Sequence, residues 1–284
     1  MRYELSFQET VYCVKMQGSG NDFVLLPGKE LNLAVEEMPD WARAICKRGF
    51  GLGADGLIIL DSAPENSRVD YKWHFFNADG SRAEMCGNGS RCAARLAFEM
   101  GLASQSHVIG TDAGPIRAEI VPGTNEVSVQ LTRASNTELH ILLQEGGVEK
   151  EVHFVNTGVP HTVLISEEAD RENLSQLGPW IRYHLRFAPE GCNVNIMQLT
   201  REGIYLRTYE RGVEDETYAC GTGAAAAAYI AGQLGLAGES LQVTTSGGEN
   251  LTVALQGEDI FLRGKAEIIC QGELNLPALG LGLK

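Results

Sequence analysis

Two stretches of the chain carry the same chemistry. Cys86-Gly87-Asn88-Gly89-Ser90-Arg91-Cys92 and Cys220-Gly221-Thr222-Gly223-Ala224 each run into an alanine-rich, helix-forming segment. The register that lays Cys86 on Cys220 also lays Gly87 on Gly221, Gly89 on Gly223 and Gly101-Leu102-Ala103 on Gly235-Leu236-Ala237, without a gap. An ungapped match through motif, helix and helix stop predicts two related halves. Each half would begin a helix at a cysteine, where unpaired N–H groups and the positive end of the helix dipole favour the thiolate. The flanking glycines let backbone N–H groups come close to a carboxylate. Halves that face each other would place two thiols on opposite sides of one small anionic substrate.

Plainer readings compete with this one. A cysteine taken singly is most often a small buried hydrophobe, and Cys13, Cys46, Cys192 and Cys270 are read so, with Cys92 as helix core. Cys86 and Cys92 form Cys-x5-Cys, a spacing foreign to zinc. No histidine or second cysteine pair accompanies it, and a helix would point the two sulfurs apart, so no metal is expected. Gly18-Ser19-Gly20 lacks the spacing and the Lys-Ser/Thr ending of a phosphate loop, so no nucleotide is expected either. Glu210-Arg211 has a plain reading as a solvated ion pair, and His161 as a turn histidine. Their places at strand ends and turns, matched between the halves, make them candidates. The residues alone describe a two-thiol enzyme acting on a small carboxylate. A non-catalytic thiol switch or binding protein, closing a Cys86–Cys220 disulfide, stays open beside it.

The elements that must position these groups follow from periodicity. Strands are expected at 11–16 and 23–26 around the turn at 18–21, at 57–60 after a glycine-rich loop, and at 71–76. A helix begins near Pro39 and closes at Gly49. The helix after Cys86 places Cys92, Leu96 and Met100 on or near one face and stops at Gly101. Strands at 108–111, 116–121 and 127–131 complete the first half. The second half brings a hairpin-like region, strands at 152–155 and 162–165, mixed structure with a helix around Trp180, strands at 193–197 and 204–209, a helix over 222–234, and short strands to 269. The expected division is 1–131, with a tail near 272–284 packing back on it, and 132–271.

Composition limits the partners. The 284 residues, 44% hydrophobic and 21% charged, describe a globular protein with ample core. A net charge of −14 argues against nucleic acid and anionic membranes. The first nine residues contain acidic side chains where a signal peptide needs an apolar stretch. The seven cysteines, odd in number, do not form a secreted disulfide framework, so a cytoplasmic protein with reduced thiols is expected.

Taken together, Gly-Ser-Gly-Asn-Asp-Phe at 18–23, Phe-Asn-Ala-Asp-Gly-Ser at 76–81, Met-Cys-Gly-Asn-Gly-Ser-Arg-Cys at 85–92, Gly-Val-Pro-His at 158–161, Glu-Arg-Gly at 210–212 and Ala-Cys-Gly-Thr-Gly at 219–223 resemble the diaminopimelate epimerase family. The resemblance implies an α/β fold of two pseudo-symmetric domains, each a mixed, barrel-like sheet around a central helix, with the active site in the cleft between them. It implies epimerisation of LL-2,6-diaminopimelate to meso-diaminopimelate in lysine and peptidoglycan precursor biosynthesis. No pyridoxal phosphate, metal or other cofactor is implied, and a homodimer is. Cys86 and Cys220 would be the two catalytic bases, with His161 and Glu210 beside them setting their protonation. Asn21, Asn77, Gly87, Asn88, Asn193, Glu210, Arg211, Gly221 and Thr222 would hold the amino-acid substrate, Arg211 gripping the distal carboxylate.

Three departures from the commonest pattern raise a broader glutamate- or proline-type racemase as the alternative. Gly56 stands for Gln, Val159 stands for Asn, and the segment at 210–217 is one residue longer. Asn88 and Arg211 argue against the proline and hydroxyproline enzymes of the same fold, which usually read Cys-Gly-His-Gly at the first motif. The cysteine pair argues against the phenazine-type isomerases.

Overall fold

A computed structural model describes residues 9–28, 31 and 33–283. The chain divides into two compact units, Met1–Val129 with Lys265–Lys284, and Gln130–Gly264. Residues 1–8, on which the leader-free reading of the N-terminus rests, lie outside the described part.

The first unit holds β1 (Thr10–Gly18), β2 (Asn21–Pro27), α1 (Met38–Cys46), β3 (Gly56–Ser62), β4 (Tyr71–Asn77), α2 (Gly87–Glu99), β5 (Ser106–Thr111), β6 (Gly114–Ile120) and the start of β7 (Glu126–Leu131). The second holds β8 (Ser135–Glu145), β9 (Val148–Asn156), β10 (Pro160–Ile165), α3 (Leu174–Arg182), β11 (Asn193–Leu199), β12 (Ile204–Glu210), β13 (Asp215–Thr217), α4 (Gly221–Gln233), β14 (Ser240–Thr245), β15 (Asn250–Gln256) and most of β16 (Asp259–Lys265). The last strand, β17 (Glu267–Asn275), returns to the first unit.

Pairing shows how deep the repeat runs. From β17 through β1 to β7 the neighbours are antiparallel, antiparallel, parallel, antiparallel, parallel, antiparallel, antiparallel. From β8 through β12 and β14 to β16 the succession is the same. In the first unit β17 therefore takes the place that β8 takes in the second. This explains the tail: without it, β1 would lack a partner along one edge.

Each sheet is covered on both faces. The apolar run Leu57-Ile58-Ile59-Leu60 of β3 reads as a strand buried twice over. Leu57 and Ile59 pack with Trp41, Ala42 and Ile45 of α1, while Ile58 points to Gly89 of α2. In the second unit Leu174 and Ile181 of α3 pack with Val194, Ile196 and Tyr209. Each such aliphatic side chain removed from water contributes about 1.5–3 kcal/mol. Helix α4 is apolar on every side, and Ala224–Ala228 are all buried, as expected of a helix enclosed by sheet. Alanine also has the best intrinsic helix propensity. Both central helices end alike. Gly101 and Gly235 adopt φ +69°, and Leu102 N–H and Leu236 N–H reach back to Ala97 O at 2.8 Å and Ala231 O at 2.9 Å.

Several local expectations change. Helix α1 stops at Cys46, before Gly49, because Lys47 turns extended. Met100 is the C-cap of α2 and is exposed, as is Cys270 on β17, so neither belongs to the core. Cys13, Cys46, Cys92 and Cys192 are buried. Among the described residues no helix is long and apolar enough to cross a membrane.

Candidate active site

In the first unit α2 starts at Cys86, whose extended backbone (φ −148°, ψ 119°) makes it the N-cap. Its sulfur accepts Gly89 N–H at 3.5 Å, as a serine or aspartate oxygen would at that position. The N–H groups of Gly87 and Asn88 in the first turn have no carbonyl within the helix to bond. Beside them runs a chain of oriented amides. Arg91, fully buried, donates from Nη2 to Asn88 Oδ1 at 3.0 Å and to Ser19 Oγ at 2.5 Å. Asn88 Nδ2 donates to Asn21 Oδ1 at 2.7 Å, and Asn21 Nδ2 to Asp55 Oδ2 at 2.9 Å. Asp55 shares Arg48 with Asp22, which is also paired with Lys15 at 2.7 Å. A guanidinium at one end and a carboxylate at the other leave each amide a single orientation. Asn21 and Asn88 are thus brought together. Asn77 stands opposite Gly56 at the end of β4, and its amide donates to Ser81 Oγ at 3.0 Å instead.

The second unit repeats the cap. Cys220 (φ −121°, ψ 110°) opens α4, and its sulfur accepts Gly223 N–H at 3.4 Å. Thr222 Oγ1 lies 3.4 Å from the same sulfur. Thr157 Oγ1 donates to Thr222 O at 3.0 Å, which ties the turn carrying Val159 and His161 to this helix end. His161 is fully buried at the start of β10. Asn195 Nδ2 donates to Thr162 O at 2.8 Å and reaches His161 Nδ1 at 3.1 Å, while Thr208 Oγ1 donates to Asn195 Oδ1 at 2.9 Å. Thr208 and the Thr162 carbonyl fix the Asn195 amide so that its NH2 faces His161 Nδ1. Asn193 Oδ1 accepts Arg211 N–H at 2.7 Å, and its Nδ2 lies 3.5 Å from His161 Nε2. Asn193, Arg211 and His161 therefore form one group, and Glu210 stands next to Cys220.

Electrostatics revise the sequence expectation at Cys220. A helix start lowers a thiol pKa, yet here burial pushes it up to about 12, with the Glu210 carboxylate adding to the rise. The Thr222 hydroxyl and the N–H groups of Thr222 and Gly223 pull the other way and lose. Burial also raises Glu210 above the ordinary carboxylate range. His161 falls to about 3, first from burial and then from Arg211. At neutral pH the histidine is an uncharged imidazole, so it acts through hydrogen bonds and shape.

The sequence reading passed over Arg91, Asp55 and Asn195. Asn195 had a signal, since period 2 puts it on the same face of β11 as Asn193. The departure at Gly56 has a packing cause: a Cβ there would meet Phe75 Cε2 at 2.6 Å and Phe76 O at 2.9 Å. Val159 is half-buried in its turn, and its carbonyl accepts Thr157 N–H at 3.2 Å.

Among the described residues, one group has the composition to hold a metal ion, namely His140, Glu151 and His153 on the β8–β9 hairpin. His140 Nδ1 already lies 3.0 Å from Glu151, and His140 N–H occupies His153 Nδ1 at 3.1 Å. These hydrogen bonds engage lone pairs that a cation would need.

Residues 13–137 and 153–269 match the sequence profile of the family described as Diaminopimelate epimerase. The diaminopimelate epimerase of Hydrogenobaculum sp. (strain Y04AAS1) is 42% identical over 274 residues, 92% of this chain and 97% of that protein. That of Aquifex aeolicus (strain VF5) is 43% identical over 271 residues, 92% and 96% of the two chains. Among solved structures, a Bacillus anthracis phenazine biosynthesis protein of the PhzF family superposes with a TM-score of 0.70 at 17% identity, covering 94% of this chain and 99% of its own. A hydroxyproline epimerase from Agrobacterium vitis, with bound trans-4-hydroxy-L-proline, gives 0.68 at 15% identity, covering 95% and 94%. These distant structures share the fold, while the two diaminopimelate epimerases match this chain along nearly their whole length. By that similarity the chain belongs to the diaminopimelate epimerase family.

Proposed function

We propose that Cys86 and Cys220 act from opposite faces on one α-carbon of diaminopimelate, interconverting the LL and meso forms without a cofactor. One sulfur, as thiolate, takes the α-proton, and the electron pair left on carbon is delocalised into the α-carboxylate. The other sulfur, as thiol, returns a proton to the opposite face, which inverts the centre and exchanges the protonation states of the pair. The N–H groups of Gly87, Asn88, Gly221 and Thr222, at the starts of α2 and α4, stabilise the charge that develops on the carboxylate. Burial favours the protonated thiol of Cys220 in the ligand-free protein. Asn21, Asn77 and Asn193 orient the substrate, and Arg211 binds the distal carboxylate.

The observation that carries this reading is the repeated cap: two helices in like units, each begun by a cysteine whose sulfur accepts the N–H of the third residue on. The same reading makes the enzyme a cytoplasmic homodimer serving lysine and peptidoglycan precursor synthesis.

Proton exchange in D₂O under reducing conditions tests it. Deuterium should enter the α-position of diaminopimelate, and exchange into glutamate and proline should stay at background. Cys86→Ser and Cys220→Ser should each lower kcat/KM by about 10²- to 10⁴-fold with the fold retained, the scale of a general acid or base. Absence of exchange into diaminopimelate with both thiols reduced, or a serine variant within tenfold of wild type, ends the two-base reading.

A further inference from the structure

The turn that carries Arg211 contains a residue in a conformation its side chain type does not favour. Residues 211–214 link β12 to β13, and Glu210 pairs with Asp215 across the hairpin. Glu214 closes the turn with φ +60°, its N–H bonded to Glu210 O at 2.8 Å. Glycine adopts this left-handed conformation without a Cβ penalty, and glutamate does not. A strained residue that is nonetheless present invites a search for what its side chain does.

The carboxylate of Glu214 is fully engaged. Oε1 accepts Gly212 N–H at 3.0 Å and both Nε and Nη2 of Arg182, at 3.2 and 3.0 Å. Tyr209 O–H donates to Oε2 at 3.4 Å. Arg182, at the end of α3, is largely buried and also donates from Nη1 to Glu190 O at 3.1 Å. That carbonyl is the one that Arg211 Nη1 approaches at 3.4 Å. Glu214 and Arg182 thus grip the Arg211 turn from inside and fasten it to the segment before Asn193, which in turn accepts Arg211 N–H. Gly212 N–H donation and the Arg182 ion pair hold the Glu214 carboxyl down at about 2, so the grip is ionised throughout the neutral range.

We propose that Glu214 and Arg182 are a positioning pair that sets the guanidinium of Arg211 for the distal carboxylate of the substrate. The pair touches neither substrate nor thiols; it acts through Arg211. The inference rests on the reading of Arg211 given above. Because the distal carboxylate is remote from the reacting carbon, its loss should weaken substrate and transition state alike and appear in KM rather than kcat.

Glu214→Gly removes the carboxylate and also the backbone strain, and the relief of strain offsets part of the lost Arg182 ion pair, so the variant should fold with a Tm somewhat below that of the wild type. KM for diaminopimelate should rise about tenfold while kcat stays within about twofold. Arg182→Gln should raise KM similarly, and the double variant should be no worse than either single one, the signature of a coupled pair. Should Glu214→Gly melt early, Glu214→Gln carries the test, since it keeps the shape and removes the charge that holds Arg182. A folded variant with wild-type KM, or a loss confined to kcat, overturns the positioning role. A wild-type protein that does not turn over diaminopimelate overturns the parent reading instead, so the two failures are told apart.

Discussion

His161 is legible in the sequence as a candidate, while its electrical state is set only by the folded surroundings. Its place in Gly-Val-Pro-His marked it, but burial is a tertiary property, and it is burial that takes the ring to about pKa 3. The consequence is measurable. In the unfolded chain the ring returns to the ordinary value of 6.5. Below that pH the unfolded state binds a proton that the folded state refuses, so stability falls as pH drops toward 3. His161→Gln should flatten this slope: between pH 6 and 4 the wild type should lose about 1.4 kcal/mol more per pH step than the variant. Urea titrations at pH 7, 5.5 and 4 measure the difference, and equal slopes would show that the ring is solvated. The same reasoning explains Cys220, where only the helix start was readable. Arg91 and Asp55 escaped notice because their roles depend on contacts with Ser19, Asn88 and Asn21, which no local spacing announces.

At the scale of elements, the two cysteine-led helices were readable because glycine, cysteine and alanine leave few other structures for those segments. Their surroundings were not, and here the helices differ. A Cβ on Gly89 would lie 3.2 Å from Ile58 Cδ1, the flexible end of a side chain. A Cβ on Gly223 would collide with Asn195 Oδ1 and lie 3.2 Å from Thr208 Oγ1, the buried pair that orients His161. Alanine in place of glycine gains about 1 kcal/mol of helix propensity, and overpacking a tight site costs about 1–3 kcal/mol. Gly89→Ala should therefore be close to neutral in chemical denaturation. Gly223→Ala should lose up to about 2 kcal/mol and most of its turnover, since Asn195 must yield. Similar losses in the two variants would mean that the helix starts are packed alike. The β8–β9 hairpin was legible only as a hairpin-like region, because Ser135–Glu145 is mostly exposed and carries no apolar alternation.

For the whole chain, the repeat predicted two related units, and the matching succession of parallel and antiparallel pairs follows from it. What the repeat alone does not supply is the origin of the strand beside β1. That strand, β17, presents Ile268 and Ile269, 44% and 55% exposed, and Cys270 beside them. Exposed isoleucines on a strand form an association surface. The homodimer proposed above would use it: Ile268→Lys with Ile269→Glu should then shift sedimentation toward the monomer, whereas dimers unaffected by both changes would place the interface elsewhere. The returning strand also sets an order of events during synthesis. The unit that contains Cys86 begins before the other in the chain but cannot pair β1 with β17 until Glu267–Asn275 has left the ribosome, whereas Gln130–Gly264 is by then already made. Long-range pairing of this kind is slow and leaves a strand edge open meanwhile. The oldest part of each nascent molecule is therefore its last to mature, and a chain stalled short of β17 would carry the Cys86 motif in a unit it could not finish.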